Sequence, residues 1–468
     1  MAHNYPLSSV EALKQQFVGK RLADLPTPSV ILDRALIRKN CTAMLDVCEK
    51  LGVGFRAHVK SHKTRELAEL QVGDGLGRCG VQVPAKFIVS TVAEAENLRG
   101  FVNGVRRQGR GANILYGVPV PQGAVSRLVA LAKSLEDKCV GVIVDNLDAF
   151  VRFHEALVAH PDYKPDIRVE VYIKIDTGYH RAGIELTSPK FKPLVDTVLA
   201  KDAGGQGATL LKGFYSHFGH SYGGNSEADA AAGLIDELVG LERAAQAVPE
   251  EKRRGLVLSI GATPTATAAQ NMLSSTSPRV EEFHAILSRL KEQYEIELHA
   301  GVYPMLDCQQ VATHARPAEG EARAGFQPLN KDSIAIRMLV EVTSVYPERE
   351  KPEVLVSAGS LAMGREPCKS YPGWGIVTGS LGNSKTASVY DERGDKTGWI
   401  VGRISQEHGI LTWEGERSKC NELAIGDKVE VWPNHACVAG AGFGWYLIVD
   451  SEQGGDEVVD VWLRWRGW

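Results

Sequence analysis

Two short segments far apart in the chain carry most of its potential chemistry. The first, Phe55-Arg56-Ala57-His58-Val59-Lys60-Ser61-His62-Lys63, closes an apolar run. In an extended chain His58, Lys60 and His62 share one face. A lysine crowded by cationic groups has its neutral amine favoured, and that amine attacks carbonyl carbons. A solvated basic loop is the alternative reading. The second segment, Pro433-Asn434-His435-Ala436-Cys437, sets an imidazole and a thiol two residues apart. On a strand such positions point the same way, so His435 and Cys437 can chelate one ion. Those donors suit Zn²⁺, and two protein ligands leave positions open for water or substrate. A core cysteine beside a hydrogen-bonded histidine is the alternative.

Three further segments could complete a site. In Lys174-Ile175-Asp176-Thr177-Gly178-Tyr179-His180-Arg181-Ala182-Gly183, Arg181 can hold an anionic oxygen. Gly213-Phe214-Tyr215-Ser216-His217-Phe218 ends in an imidazole. Gly261-Ala262-Thr263-Pro264-Thr265 and Gly301-Val302-Tyr303 offer backbone N–H groups and hydroxyls to a phosphate, or serve as ordinary helix caps. Two motifs mislead. Gly75, Gly77 and Gly80 fit GxGxxG, but a helix-like stretch precedes them and a strand follows, the reverse of a dinucleotide site. His154-Glu155 with His160 misses the spacing of a zinc protease helix.

The elements that must position these groups repeat along the chain. Apolar, β-branched runs cover Val53–Lys60, Lys86–Thr91, Asn113–Tyr116, Val140–Asp145, Ile167–Asp176, Leu211–His217, Leu256–Ser259 and Ile296–Ala300. Their ends fall roughly 25 to 45 residues apart, the length of one strand–helix unit. Eight such units predict a (β/α)₈ TIM barrel, with a doubly wound open sheet as the alternative. Polar residues gather at the strand ends: Lys60, Thr91, Tyr116, Asp145, Arg181, His217, Thr263 and Tyr303. In a barrel that is where chemistry sits. After about residue 330, alternation replaces the helical rhythm, over Ile334–Tyr346, Glu353–Ser357, Gly398–Ile404, Lys428–Trp432 and Trp445–Val449. A mostly antiparallel β domain follows from that pattern. The chain so divides into an N-terminal segment 1–33, partly pairing with the β domain through Ser29–Asp33, a barrel over 34–320 and a β domain over 321–468. Residues 310–332 read as the linker.

Composition narrows the function. The 468 residues are 44% hydrophobic and 24% charged, with a net charge of −4. A duplex-binding protein needs a basic excess, so no nucleic-acid partner is expected. The absence of any run of about 18 apolar residues predicts no membrane span. The start, MAHNYPLSSVEALKQQF, reads as neither signal nor transit peptide. Eight scattered cysteines without a CxxC suit a reducing compartment, and a cytoplasmic location is expected.

Together RAHVKSHK, KIDTGYHRAG, GFYSHFGHSY, SIGATPT and PNHAC resemble the fold-type III, alanine racemase-like pyridoxal phosphate enzymes. The likeness is greatest to the D-serine dehydratase and D-threonine aldolase group, and within it to fungal-type D-serine dehydratases. It spans nearly the whole chain. The resemblance implies that Lys60 forms a Schiff base with pyridoxal 5'-phosphate. It implies that Arg181 approaches the phenolic oxygen and that His217 lies beside the ring, with Tyr179 and Tyr215 nearby. Gly261, Thr263, Thr265, Gly301 and Val302 then serve the cofactor, most of them at its phosphate, and His435 and Cys437 bind zinc. Ser357 stands where many relatives carry Asp, and Gly364–Gly375 is longer than in bacterial aldolases. The implied reaction is D-serine to pyruvate and ammonia. Lys60, His217 and Arg181 are its catalytic candidates, with Lys60 as base and zinc easing departure of the β-hydroxyl. Competing readings are a metal-dependent D-threonine aldolase, an amino-acid racemase and a non-catalytic cofactor carrier. A homodimer is implied by the resemblance.

Overall fold

The computed structural model describes residues 6–75, 82–135, 137–202, 207–273, 278–381, 385–386 and 388–468. Strand β1 (Ser29–Asp33) stands apart from the next eight. These are β2 (Gly54–His58), β3 (Ala85–Val89), β4 (Ala112–Pro119), β5 (Val140–Val144), β6 (Val169–Lys174), β7 (Thr209–Tyr215), β8 (Val257–Ile260) and β9 (Glu295–Ala300). β2 to β9 close into a parallel barrel in chain order, sealed where Gly54 to Ala57 pair with Glu297 to Ala300. Helices on one side and neighbouring barrel side chains on the other bury these strands on both faces. That burial is why they read as continuous apolar runs, as in β5, where all five residues are buried.

The barrel interior is layered. Ile88, Leu115, Ile143, Tyr172, Tyr215 and Val257 pack as one apolar cluster. Beside them, Arg56 Nε donates to Glu297 Oε1 at 2.7 Å and Lys86 Nζ to Glu297 Oε2 at 2.9 Å, while Arg56 also donates to the Tyr172 hydroxyl at 3.1 Å. Each charge buried there has a hydrogen-bonded partner, the condition under which buried ions are tolerated.

The second sheet comprises β10 (Ile336–Tyr346), β11 (Glu353–Val356), β12 (Gly375–Leu381), β13 (Lys385–Thr386), β14 (Gly398–Ile404), β15 (Gly409–Glu414), β16 (Lys428–Pro433), β17 (Trp445–Val449) and β18 (Asp460–Leu463). Its order is β11-β15-β14-β12-β16-β10-β1-β17-β18, with β13 on β12. β1 lies between β10 and β17, antiparallel to the first (Leu32 opposite Ile336) and parallel to the second (Ile31 opposite Leu447). The N-terminal segment therefore completes a sheet whose other strands lie more than 300 residues later. β12, β15 and β18 were not expected from the sequence. Glycines break the alternation of β12, and β18 has only four residues.

Residues 310–332 pack down: Ala315, Arg316, Phe326 and Leu329 are buried, and Asn271 Nδ2 donates to the Ala315 carbonyl at 2.8 Å. Of the glycine triplet, Gly75 follows the helix Arg65–Val72, and Gly77 and Gly80 lie outside the described residues. His154 is held by its Nδ1 against Thr209 Oγ1 at 3.2 Å. No described helix is long and apolar enough to cross a membrane.

Candidate active site

A cavity of about 260 Å³ opens where the C-terminal ends of the barrel strands meet the β domain. His58, Lys60, Tyr179, Arg181, His217, Thr263, Gly301, Val302, His435 and Cys437 all border it. Sequence positions 58 and 437 are thereby brought to one surface.

The lysine arrives by a turn rather than a strand. β2 ends at His58, and the chain bends until Lys63, at φ 52°, delivers Thr64 to cap the next helix. His62 therefore does not share the face of His58 and Lys60. Its Nε2 meets Gln71 Oε1 at 2.9 Å inside the helix packing. His58 Nε2 pairs with Ser90 Oγ at 2.9 Å. Burial first, then the charge of Lys60, holds both His58 and His217 well below the usual histidine range. His217 Nδ1 donates to the Gly261 carbonyl at 3.0 Å, which leaves its Nε2 as the acceptor.

His299, at the end of β9, was not singled out by sequence. It borders the cavity, and its Nδ1 meets Ser259 Oγ at 3.1 Å. Its Nε2 is buried with no partner among the described residues. Tyr215 stacks on its ring at 4.4 Å between centroids, 7° from parallel. Tyr215 thus lies behind His299 rather than on the cavity wall. On its ring rests Lys174 Nζ, 4.9 Å from the centroid. Burial, then the charge of Arg181, pushes that lysine down to about 8. Arg181 itself is exposed and stacks on Tyr179 at 5.2 Å.

The loops after β8 and β9 form one corner. Thr263 Oγ1 accepts from Gly301 N at 3.4 Å and Val302 N at 3.3 Å. Gly261 sits at φ +143°, where a Cβ would lie 2.2 Å from the His299 carbonyl, so no side chain fits. Neither Gly261 nor Thr265 borders the cavity. Both are held by Glu237, from the helix Glu227–Ala245: Gly261 N donates to its Oε1 at 3.1 Å and Thr265 Oγ1 to its Oε2 at 3.2 Å. Ser216 Oγ adds a third donor at 3.0 Å. Burial still pushes Glu237 up to about 7. Tyr222, the last residue of GFYSHFGHSY and given no role from sequence, joins the wall through hydrogen bonds with Thr263 and Gln310.

The β domain supplies the opposite wall. β16 ends at Pro433, and His435 caps the short helix Ala436–Ala439. The pair therefore does not share a strand face; the bend from extended His435 into this helix brings the two side chains into hydrogen-bond contact. Ser61 Oγ lies 2.9 Å from Cys437 Sγ, and Ala436 N donates to Asp307 Oδ2 at 2.9 Å. Burial disfavours charge on His435, yet the hydrogen bond and charge of Cys437, aided by Asp307 and Glu366, push it up to about 9. Burial likewise raises Cys437, but His435 and then Lys60 bring it below the usual thiol value. An imidazole and a thiol so placed are donors of the type that suit a divalent cation such as zinc.

Residues 32–280 match the family model described as "Alanine racemase, N-terminal domain", and residues 335–449 match "Putative serine dehydratase domain". A D-serine dehydratase of Schizosaccharomyces pombe is 35% identical, covering 98% of this chain and 96% of its own. The D-serine dehydratase of Saccharomyces cerevisiae is 32% identical, covering 97% and 99%. The chain belongs to the D-serine dehydratase family. Among solved structures, the D-threo-3-hydroxyaspartate dehydratase from Delftia sp. HT23 superposes with a TM-score of 0.70 over 96% of this chain and all of its own, at 24% identity. That likeness shows a shared fold. Membership of the D-serine dehydratase family makes the chain a lyase, and its alanine racemase-like fold implies pyridoxal phosphate.

Proposed function

We propose that the chain is a pyridoxal phosphate- and zinc-dependent D-serine dehydratase, converting D-serine to pyruvate and ammonia. The observation that carries this reading is the meeting of Lys60 with His435 and Cys437 on one cavity. Lys60 is the residue to hold the cofactor. Thr263, Gly301 and Val302 suit its phosphate, with Gly261 and Thr265 shaping that corner from behind. The orphaned His299 Nε2 on the cavity wall fits a flat, polar guest. His435 and Cys437 suit zinc by donor type. When bound, pyridoxal phosphate supplies an electron sink for the pair left at Cα. Zinc supplies a Lewis acid for the β-hydroxyl.

The chain's own residues do the rest. Lys60 Nζ takes the α-proton, as the amine nearest that carbon once substrate has displaced it. Neutral His58 and His217 keep the lysine's neighbourhood free of added positive charge only while burial holds them unprotonated. Arg181 at the mouth neutralises anionic oxygen. Net, D-serine loses one water at Cα–Cβ and gains one as ammonia departs. The family resemblance supports a homodimer, and the scattered cysteines without a CxxC support a cytoplasmic location.

Purified, cofactor-loaded protein incubated with D-serine should release pyruvate and ammonia in equal amounts. Chelation should abolish this, and zinc should restore it. Glycine plus acetaldehyde from D-threonine, without pyruvate from D-serine, would instead assign aldol cleavage. Chelator-resistant racemisation would remove the metal from the reaction.

A further inference from the structure

The segment 364–375 brings Glu366 to the cavity mouth. Among the described residues Glu366 is the one carboxylate on the cavity wall. Apart from Cys437, the other side chains on that wall are neutral or basic, Gln309, Tyr222, Lys60 and Arg181 among them. The backbone of the segment is pinned. Asn434 Nδ2 donates to the Glu366 carbonyl at 2.9 Å and Gln309 Nε2 to the Pro367 carbonyl at 2.8 Å. Tyr371 in turn donates to Asn434 Oδ1. The residue before His435 therefore anchors the backbone that carries this carboxylate, while the Glu366 side chain itself is exposed at the mouth. Arg365, its neighbour in the chain, is stacked over Trp374 at 5.6 Å and does not border the cavity.

Glu366 does not stand at ligating distance with His435 and Cys437. Among the described residues, the metal-capable grouping of three or more side chains is Asp176, His180 and Glu185, and Glu366 does not join His435 and Cys437 in one. A carboxylate standing on the same wall as His435 and Cys437 acts on whatever the substrate presents there. If His435 and Cys437 hold the β-hydroxyl through zinc, their wall faces the β-carbon.

We propose that Glu366 is a specificity-determining residue that excludes β-hydroxy D-amino acids bearing a second carboxylate at the β-carbon. D-Serine carries only hydrogen there and meets no like charge. D-threo-3-Hydroxyaspartate, the substrate named for the Delftia enzyme of the same fold, carries a carboxylate there. Two like charges brought together disfavour each other, and specificity can be built from such repulsion. This inference rests on the dehydratase reading above.

The test compares D-serine and D-threo-3-hydroxyaspartate on the zinc- and cofactor-loaded full chain, reading ammonia, which each substrate releases once. Wild type, Glu366→Gln and Glu366→Asp are measured side by side. The expected result is that Glu366→Gln shifts the ratio of kcat/KM values toward the dicarboxylate by about tenfold or more. Glu366→Asp, which keeps the charge, stays within a few-fold of wild type. An unchanged ratio in Glu366→Gln overturns the proposal, including when kcat on both substrates falls together, which marks a residue that only positions His435. If the variant turns over neither substrate, the change in cofactor absorbance on titration with each amino acid gives the same ratio as dissociation constants. A shift toward the dicarboxylate then supports the proposal, and an unchanged ratio overturns it. Wild type that releases no ammonia from D-serine refutes the underlying dehydratase reading instead, before any variant is compared.

Discussion

The proposed function concentrates the chemistry on Lys60, His435 and Cys437, so single substitutions there should be decisive. Lys63 is ion-paired with buried Glu94 at 3.0 Å, and Lys174 is packed on Tyr215, away from the cavity wall. Of these three lysines Lys60 alone borders the cavity, as the proposed cofactor link requires. Lys60→Ala should lose the visible absorbance of bound cofactor and about a thousandfold or more of activity. A variant that keeps the band in an absorbance scan shows that another lysine makes the link. At the same scale, His299 shows how a residue gains a role from its surroundings. Ser259 fixes its Nδ1, Glu297 accepts from that same Ser259 hydroxyl at 2.9 Å, and Tyr215 covers its face. Only Nε2 is left to meet a ligand.

Between residue and fold stands the helix Glu227–Ala245. Ser226 caps it, accepting from Asp229 N, and Leu234, Leu238, Leu241 and Ala245 bury one face at helical spacing. Glu237 lies on the buried surface too and reaches the loop after β8. Its carboxyl titrates near 7 in the fold against an ordinary value of 4.5. Between those values the folded protein holds a proton that the unfolded chain releases. The resulting stabilisation is complete below pH 4.5 and is lost as pH rises through 7, a contribution of about 3 kcal/mol. Glu237→Gln should remove that dependence. Thermal midpoints of wild type should fall more steeply than those of the variant between pH 5 and pH 8, and parallel slopes would contradict the assignment.

At the scale of the whole molecule, both ends of the chain serve the centre. β1 lends the second sheet a strand, and the C-terminus returns to the barrel, where Trp465 N donates to the Lys63 carbonyl at 2.7 Å. The turn that carries Lys60 is thus tied to the last residues. Deleting 465–468 should lower kcat/KM for D-serine by about tenfold or more while circular dichroism is unchanged, because small misplacements of a reacting group are costly. Full activity in the truncated protein would show the tie to be dispensable. The eight barrel strands were legible because parallel strands buried on both faces must be apolar, with polar residues only at their ends. Lys60, Arg181, His217, His435 and Cys437 stood out because unusual residue types recur at short spacing. The weaker strands β12, β15 and β18, and the wall residues Glu366 and His299, had no such local mark. Glu237, supporting the wall from behind, was equally silent. By itself the sequence determined which segments become strands and which local groups can do chemistry, since hydrophobic period and side-chain type are local properties. Tertiary structure alone decided that positions 60 and 437 share a wall, that His62 and Tyr215 do not, and that Glu366 does. Those outcomes depend on contacts between residues far apart in sequence, which no local pattern encodes.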